Sequence, residues 1–280
     1  MEPKLHRRVQ RYGWDMAVQD YDQYFVPLLR HCSERCLALL DLQPGERVLD
    51  VATGTGIAAF LAAEIVGPEG AVVATDISQR MVDATRAEAE RRGIVNMQCE
   101  REDAEELSHA DASFAAVSCV LGLMYPADPQ RAIAQMQRVL RPGGRAAVAV
   151  WGRRDRCGWA SIFPIVDSRV ESDVCPLFFQ LGAPGALSYA FQKAGFVDLH
   201  EERVDRPLCF AGERDVLAAV FAGGPVALAY SKFSPETREA AHREFLESIS
   251  EYRRGDGYEV PGEFVFMLAR KPVLSEAEGL

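Results

Sequence analysis

The chain has 280 residues, of which 48% are hydrophobic and 26% charged, a balance typical of globular proteins and not of disordered ones. Its formal net charge of -10 disfavours phosphate backbones and anionic membranes, so we expect a small-molecule substrate and no nucleic-acid partner. The polar start of the chain and the odd number of cysteines predict a cytoplasmic protein with reduced thiols, and the absence of a long apolar run predicts no membrane span. No metal site is expected, because Cys32 and Cys36 have no second pair with ligand spacing, and a homodimer is a candidate assembly.

The first 42 residues carry helical patterns. An apolar stripe from Tyr21 to Cys32 repeats with the spacing of one helix face, and Pro27 within it predicts a break or restart of the helix. A second helical stretch ends near Leu40, and a turn signal follows at 43–46. Residues 1–42 are therefore predicted to form a helical segment ahead of the rest of the chain.

From residue 43 onward, strand and helix patterns alternate. The expected strands are short apolar segments at Arg47–Val51, Ala71–Thr75, Val95–Glu100, Ser113–Cys119 and Ala146–Trp151. The expected helices between them are Ile57–Val66, Met81–Arg92 and Asp128–Leu140. Because such alternation implies parallel strands joined by crossovers, residues 43–151 are predicted to form an α/β doubly wound sheet.

After Trp151 the alternation stops. Residues 152–183 have an irregular pattern, and a helix at Ala186–Ala194 and a strand at Phe196–Val204 follow. Residues 205–256 form a mainly helical pattern before a last strand at Glu263–Ala269. Since the sequence contains no internal repeat and no low-complexity tract, residues 1–280 are predicted to form one domain with its C-terminal half at 152–280.

A glycine-rich turn joins the first strand to the following helix. Gly54-Thr55-Gly56 lets a ligand approach the backbone, and the helix that follows offers free N–H groups at its N-terminus. Residues 54–59 also satisfy the dinucleotide fingerprint G-x-G-x-x-A, and Asp76 at the end of the second strand suits a ribose in either case. The turn alone therefore leaves a nicotinamide enzyme open.

Three further features favour a different cofactor. Asp50 lies inside the first strand, where a buried carboxylate costs free energy unless it orders something nearby. Dinucleotide-binding strands are usually apolar at that point. Asp103-Ala104-Glu105 follows the third strand, and Arg141-Pro142-Gly143-Gly144 precedes the fifth.

In order and spacing, these segments resemble the class I S-adenosylmethionine-dependent methyltransferases, in particular the group of ubiquinone/menaquinone-biosynthesis C-methyltransferases and bacterial small-molecule methyltransferases. The resemblance is strong over residues 10–151 and holds only in outline beyond them. It implies a Rossmann-like sheet of seven strands with the last one antiparallel, an N-terminal helical lid and a helical insertion, about 205–256, that caps the substrate. Ala52 departs from the family pattern by replacing its commoner first glycine, and Ala115-Ala116 replaces a usual Phe-Asp.

The resemblance also assigns residues to S-adenosylmethionine. The residues expected to contact this cofactor are Tyr21, Asp50, Ala52, Thr53, Gly54, Thr55, Gly56, Asp76, Ile77, Met81, Asp103, Ala104, Glu105 and Cys119. Asp76 is expected to bind the ribose hydroxyls, Asp103 the adenine edge, and the carbonyl of Cys119 the ammonium group.

The methyl acceptor is expected beyond the carboxyl ends of the strands. The residues expected to line its site are Tyr12, Trp14, Tyr24, Phe25, Met124 and Trp151. A general base is needed only where the acceptor must lose a proton, and Tyr125 and His31 are the candidates.

The expected reaction is an in-line methyl transfer to an oxygen, a nitrogen or a ring carbon of a small molecule, promoted by positioning and exclusion of water. The alternatives are an NAD(P)-dependent oxidoreductase and a catalytically silent module that only binds the cofactor.

Overall fold

The computed structural model describes residues 2–170 and 177–273. Its helices are α1 (Pro3–Asp20), α2 (Val26–Leu40), α3 (Ile57–Val66), α4 (Gln79–Arg92), α5 (Pro129–Val139), α6 (Ile162–Asp167), α7 (Ala186–Lys193), α8 (Glu213–Leu217), α9 (Ala227–Tyr230) and α10 (Pro235–Ser248). Its strands are β1 (Arg47–Val51), β2 (Ala71–Asp76), β3 (Met97–Arg101), β4 (Phe114–Val120), β5 (Leu140–Trp151), β6 (Val197–Asp205), β7 (Leu208–Phe210), β8 (Arg253–Arg254), β9 (Gly257–Val260) and β10 (Glu263–Arg270). Over these two ranges, no helix combines the length and the apolar character needed to cross a membrane.

Seven strands form the main sheet in the order β3-β2-β1-β4-β5-β10-β6. Strands β1 to β5 pair in parallel, whereas β10 is antiparallel to both β5 and β6. The chain reverses its direction of progress across the sheet between β1 and β4, which creates the crevice where open α/β sheets bind ligands. The predicted doubly wound sheet with an antiparallel last strand is confirmed.

The centre of the sheet is buried on both faces. Residues 146–150 of β5 are each 0% exposed, and three of these five are alanines. Small side chains on a central strand let the helices on either face approach closely, and burial on both faces is typical of parallel strands. The strand ends that carry the polar residues therefore stand on a rigid base.

The N-terminal helical segment restarts at Pro27, as the sequence predicts. A π-helical turn at Tyr21–Phe25 joins α1 to α2, and Pro27 lies in the first turn of α2. The extra residue of a π turn restarts the hydrogen-bond ladder, and proline is tolerated in a first turn because its missing N–H has no partner there. Of the two predicted outcomes at Pro27, the structure shows the restart, with a change from π-helix to α-helix and no gap between the helices.

The C-terminal half contains more regular structure than its pattern indicates. The insertion is helical as predicted, but β7, β9 and β8 also form a three-stranded sheet beside those helices. Residues 152–183 were predicted to be irregular, yet their described part contains α6 and two 3₁₀ turns at 154–156 and 158–161. Elements of two to six residues are too short for their periodicity to be visible in a sequence.

Candidate cofactor and acceptor site

A cleft lies at the carboxyl ends of the parallel strands, at the crevice between β1 and β4, and α1 covers it. It holds about 1010 Å³ of empty space, its open mouth included. The lining comes from α1, the strand ends and the insertion, and includes Arg7, Gln10, Trp14, Tyr21, Phe25, Ala52, Gly54, Asp76, Ile77, Met81, Asp103, Ala104, Glu105, Leu121, Gly122, Tyr125, Trp151, Trp159, Phe178 and residues 223–225.

The turn between β1 and α3 has a left-handed backbone at three positions. The φ angles are +55° at Ala52, +58° at Gly54 and +93° at Gly56. Glycine adopts this conformation freely while an alanine is strained by it, which explains why the family usually has glycine at the position of Ala52. A Cβ added at Gly54 would lie 3.3 Å from Cε1 of Tyr21, so the ring of this lid residue rests directly on the turn.

Asp50 ties this turn to the neighbouring strand. Its Oδ2 accepts a hydrogen bond from the hydroxyl of Thr53 at 2.7 Å, and its Oδ1 accepts one from the hydroxyl of Ser118 at 2.6 Å. Burial raises the pKa of the Asp50 carboxyl to about 6. A buried carboxylate that already has two donors orders its surroundings, and it attracts a cation placed beside it.

Asp76 connects the same turn to the end of β2. Its Oδ2 accepts from the backbone N–H of Gly54 at 3.0 Å, and its Oδ1 accepts from the N–H of Ser78 at 2.9 Å. Burial raises the pKa of Asp76 to about 6 as well. Each carboxylate oxygen retains lone pairs for a further donor, so the group can accept hydrogen bonds from ligand hydroxyls in the cleft.

A second, smaller chamber adjoins the cleft behind Tyr21. It holds about 410 Å³ and is lined by polar groups that include Arg30, Ser33, Asp50, Thr53 and Thr55. The hydroxyl of Thr55 is buried and has no hydrogen-bond partner. With the N-terminus of α3 beside it, the chamber offers donors for a carboxylate and the Asp50 carboxylate for an ammonium group.

The other end of the cleft is closed by ion pairs from the lid. The Nε of Arg7 lies 2.9 Å from Oδ2 of Asp103, and its Nη2 lies 2.7 Å from Oε2 of Glu105. Oε1 of Glu105 accepts from the backbone N–H groups of Ala127 and Asp128 at 2.7 and 3.2 Å. The Glu105 carboxylate therefore joins the lid to the loop after β4. Because the Asp103 and Glu105 carboxylates are engaged in these contacts, the backbone of residues 103–105 remains available for a ligand.

Aromatic rings form the remaining wall of the cleft. The rings meet mostly edge to face, with centroid distances of 5.6 Å for Trp14–Tyr21, 5.0 Å for Trp14–Tyr125, 5.6 Å for Tyr125–Phe178, 5.6 Å for Trp159–Phe178 and 4.8 Å for Trp151–Trp159. We call these six residues the aromatic wall. Such a wall suits a planar apolar ligand, and its π faces also favour a neighbouring cation.

Several predicted site residues lie outside the lining of both chambers, namely Tyr12, Tyr24, His31, Gly56, Met124 and Cys119. Tyr12 is 46% exposed, and His31 packs its ring on Phe264 at 4.9 Å while its Nδ1 bonds the carbonyl of Leu28. Strand β4 ends at Val120, one residue later than predicted, so the cleft is lined by the residues after Cys119 and not by Cys119 itself.

Other lining residues were not anticipated from the sequence. Arg7, Gln10, Trp159 and Phe178 gave no local signal, because each reaches the cleft only through tertiary packing. Residues 223–225 were visible as a Gly-Gly-Pro break in the insertion. A Cβ on Gly223 would lie 2.9 Å from the backbone N of Tyr21, so this glycine lets the insertion pack directly on the π-helical turn.

Comparison with known proteins adds three findings. Residues 48–144 match a family described as "Methyltransferase domain". The chain is 29% identical over 258 residues to the nocamycin O-methyltransferase of Saccharothrix syringae, which covers 86% of this chain and 91% of that protein. It is 42% identical over 159 residues to a ubiquinone/menaquinone biosynthesis C-methyltransferase of Xanthomonas campestris pv. campestris, and this match spans only 55% of the chain and 60% of that relative.

A solved structure shares the fold. The [4+2]-cyclase SpnF superposes with a TM-score of 0.59 at 22% identity, covering 88% of this chain and 81% of that one. This likeness concerns the fold alone, since a similar scaffold can carry different reactions.

Together, the sheet order, the glycine-rich turn and these matches support a class I S-adenosylmethionine-dependent methyltransferase with S-adenosylmethionine as its cofactor. The residues present fit that group. The unpartnered hydroxyl of Thr55 and the carboxylate of Asp50 suit the amino-acid end, and the carboxylate of Asp76 suits the ribose.

Proposed function

We propose that the chain methylates a planar, largely apolar small molecule at an oxygen, a nitrogen or a ring carbon. The observation that carries this proposal is the aromatic wall, which lines the same cleft as the residues expected to contact the cofactor. Among the described lining residues, the charged side chains are Arg7, Asp76, Glu102, Asp103 and Glu105, and none of them belongs to the aromatic wall. An acceptor on the aromatic side therefore meets rings and few formal charges.

The names of two relatives support methyl transfer to a small molecule. One is named for O-methylation of nocamycin and the other for C-methylation in quinone biosynthesis. Their acceptor atoms differ, so the choice between oxygen and carbon stays open for this chain. The net charge of -10 also favours a small molecule over a nucleic acid, and a cytoplasmic location and a homodimer remain predictions.

S-adenosylmethionine supplies an electrophilic methyl group when bound, and the chain's own residues orient the acceptor and exclude water. Helix α1 is fastened over the cleft at three points. His6 Nε2 lies 2.7 Å from the carbonyl of Tyr125, Arg7 pairs with Asp103, and the hydroxyl of Ser78 donates to Asp15 at 2.6 Å. A closed lid removes water from the reacting atoms, which strengthens every electrostatic interaction inside.

Tyr125 is the candidate for proton transfer that lies within the aromatic wall. Its ring stands between Trp14 and Phe178, on the side expected to receive the acceptor. His31 is less suited to this role, because its ring packs on Phe264 and lies outside the cleft lining. Positioning and water exclusion are expected to carry most of the rate in any case.

The experiment is a transfer assay with methyl-labelled S-adenosylmethionine against pooled phenols, quinones and heterocycles. We expect label in an organic product with the unaltered chain, and loss of most of that label in Asp76→Ala. Asp83→Ala is the matched control, because Asp83 is an exposed carboxylate on α4. Tight cofactor binding with no labelled product from any pool would contradict the proposal and favour a silent module, and oxidation of NADH in place of transfer would favour an oxidoreductase.

A further inference from the structure

Three metal-ligating side chains converge at the edge of the cofactor cleft, where Glu102 also belongs to the cleft lining. Glu100 belongs to β3, Glu102 follows the end of that strand, and His109 lies on the loop before β4. One ligand atom from each residue lies within 4.8 Å of the other two. Nε2 of His109 is 3.4 Å from Oε2 of Glu102 and 3.8 Å from Oε2 of Glu100.

The Glu102 carboxylate points to a ligand at this cluster. Its side chain is only 7% exposed. Its Oε1 accepts hydrogen bonds from the backbone N–H of Ser108 at 3.2 Å and from the Ser108 hydroxyl. Its Oε2 is buried and makes no hydrogen bond, and the same holds for Nε2 of His109. Buried polar atoms in folded proteins are nearly always satisfied, so two facing atoms without a hydrogen bond call for an explanation.

Both buried ligands are held in place by contacts outside the cluster. The ring of His109 meets the ring of Phe114 edge to face at 5.1 Å, and its backbone carbonyl accepts from Arg138 at 2.7 Å. Ser108 fixes the Glu102 carboxylate from the opposite side. Contacts of this kind orient ligands before a metal arrives and are a usual part of metal sites.

The composition of the cluster selects the class of ion. Two carboxylates and one imidazole nitrogen form a mixed oxygen and nitrogen set, which suits divalent ions such as Zn²⁺. Two carboxylates also balance the charge of a divalent cation. Because the side chain of Glu100 is 41% exposed, the open side of the cluster faces solvent and water can complete the coordination.

We propose that Glu100, Glu102 and His109 bind one divalent transition-metal ion, with Zn²⁺ as the favoured ion. The site fastens the segment 102–109 to the end of β3. That segment carries Asp103 and Glu105, which the lid residue Arg7 contacts. The proposal stands independently of the methyl acceptor, since it concerns a loop beside the cofactor cleft.

The test is a Zn²⁺ titration of the full chain after treatment with EDTA and dialysis. Calorimetry and metal analysis of the desalted protein should both give one equivalent of Zn²⁺ per chain. Glu102→Gln and His109→Asn should each weaken the Zn²⁺ affinity at least tenfold. His200→Asn is the matched control and should leave it unchanged, because His200 is a 61% exposed imidazole that lies 3.9 Å from the carboxylate of Glu202.

Glu100→Gln is the variant that is expected to keep the fold intact while it removes one metal ligand. Its side chain is partly exposed, so the melting temperature without metal should match that of the unaltered chain, while the Zn²⁺ affinity falls at least tenfold. Zn²⁺ should raise the melting temperature of the unaltered chain and raise it less in this variant. Absence of stoichiometric Zn²⁺, or equal affinity in all variants, would overturn the proposal and leave a buried ion pair between His109 and Glu102.

Discussion

Gly122 packs directly on Ala52 beneath the cofactor cleft, and this contact tests the geometry of the turn. A Cβ added at Gly122 would lie 2.5 Å from Cβ of Ala52 and 2.8 Å from Sγ of Cys119. Non-bonded carbon atoms are most stable about 3.5 to 4.0 Å apart, so Gly122→Ala requires a displacement of about 1 Å. Both Gly122 and Ala52 line the cleft, and the displacement therefore reaches the cofactor.

The magnitude follows from the crowding and the backbone. Adding a methyl group to a packed site typically costs about 1 to 3 kcal/mol of unfolding free energy, and we expect Gly122→Ala to fall in that range. Ala52→Gly relieves the strain at φ +55°, worth about 1 kcal/mol, but frees the unfolded chain by a similar amount. The single change at Ala52 should therefore alter the stability by less than about 0.5 kcal/mol.

The double variant Ala52→Gly/Gly122→Ala distinguishes a direct clash between the two residues from a general loss of stability. Removing the methyl group of Ala52 clears the closest clash, so the double variant should recover about 1 kcal/mol relative to the sum of the single changes. Urea unfolding measures the stability, and titration with S-adenosylhomocysteine should show a parallel loss and partial recovery of affinity. Additive effects within about 0.3 kcal/mol, or an undisturbed Gly122→Ala variant, would refute the contact.

The remaining predictions concern the cofactor's polar partners. Asp76→Ala should weaken S-adenosylhomocysteine binding about 10- to 100-fold in calorimetry, because a hydrogen bond to a charged group is worth about 1.5 to 3 kcal/mol, while Asp83→Ala should not change it. Burial raises the pKa of Asp50 and of Asp76 to about 6, and only the ionised carboxylates are expected to accept hydrogen bonds from the ligand. The affinity for S-adenosylhomocysteine should therefore fall as the pH drops from 8 through 6 to 5. A constant affinity over that range would show that neither carboxylate must ionise. Arg7→Ala removes the lid's ion pair with Asp103, so S-adenosylhomocysteine should dissociate about fivefold faster in stopped-flow experiments. An unchanged rate would show that this ion pair does not hold the lid closed over the ligand.

The cofactor half of the molecule could be predicted because its signals are local. A short apolar strand followed by a glycine-rich turn and an alanine-rich helix is visible in consecutive residues, and Asp50 stands out as a charge inside an apolar run. The structure explains both observations, since Asp50 accepts from Thr53 and Ser118. The doubly wound sheet of parallel strands followed from the alternation of strands and helices together with the handedness of crossovers.

The acceptor half could not be predicted in the same way, because its residues meet only in the folded chain. Trp159 and Phe178 come from a stretch without periodicity, yet they form part of one wall with Trp14 and Tyr125. The shift of the β4 end by one residue, from Cys119 to Val120, also moved the predicted contact out of the lining. Strand ends depend on the register of the neighbouring strands, which a single sequence does not contain.

The contacts of the lid could not be predicted from the sequence either. The sequence indicates amphipathic helices before residue 42, but the role of Arg7 depends on where α1 lies across the sheet. Its guanidinium pairs with Asp103 and Glu105, both of which were assigned to the cofactor alone. Ion pairs between segments about 100 residues apart leave no local pattern.

The most direct test of the central claim compares two ligands on the same protein. The full chain is titrated with S-adenosylhomocysteine and, separately, with NADH, and Asp76→Ala serves as the variant that lacks the proposed ribose partner. We expect one site for S-adenosylhomocysteine with a Kd on the order of micromolar, a marked loss in Asp76→Ala, and no saturable binding of NADH up to about 1 mM. Tight binding of NADH with no binding of S-adenosylhomocysteine would contradict the assignment of the cleft to the methyl donor.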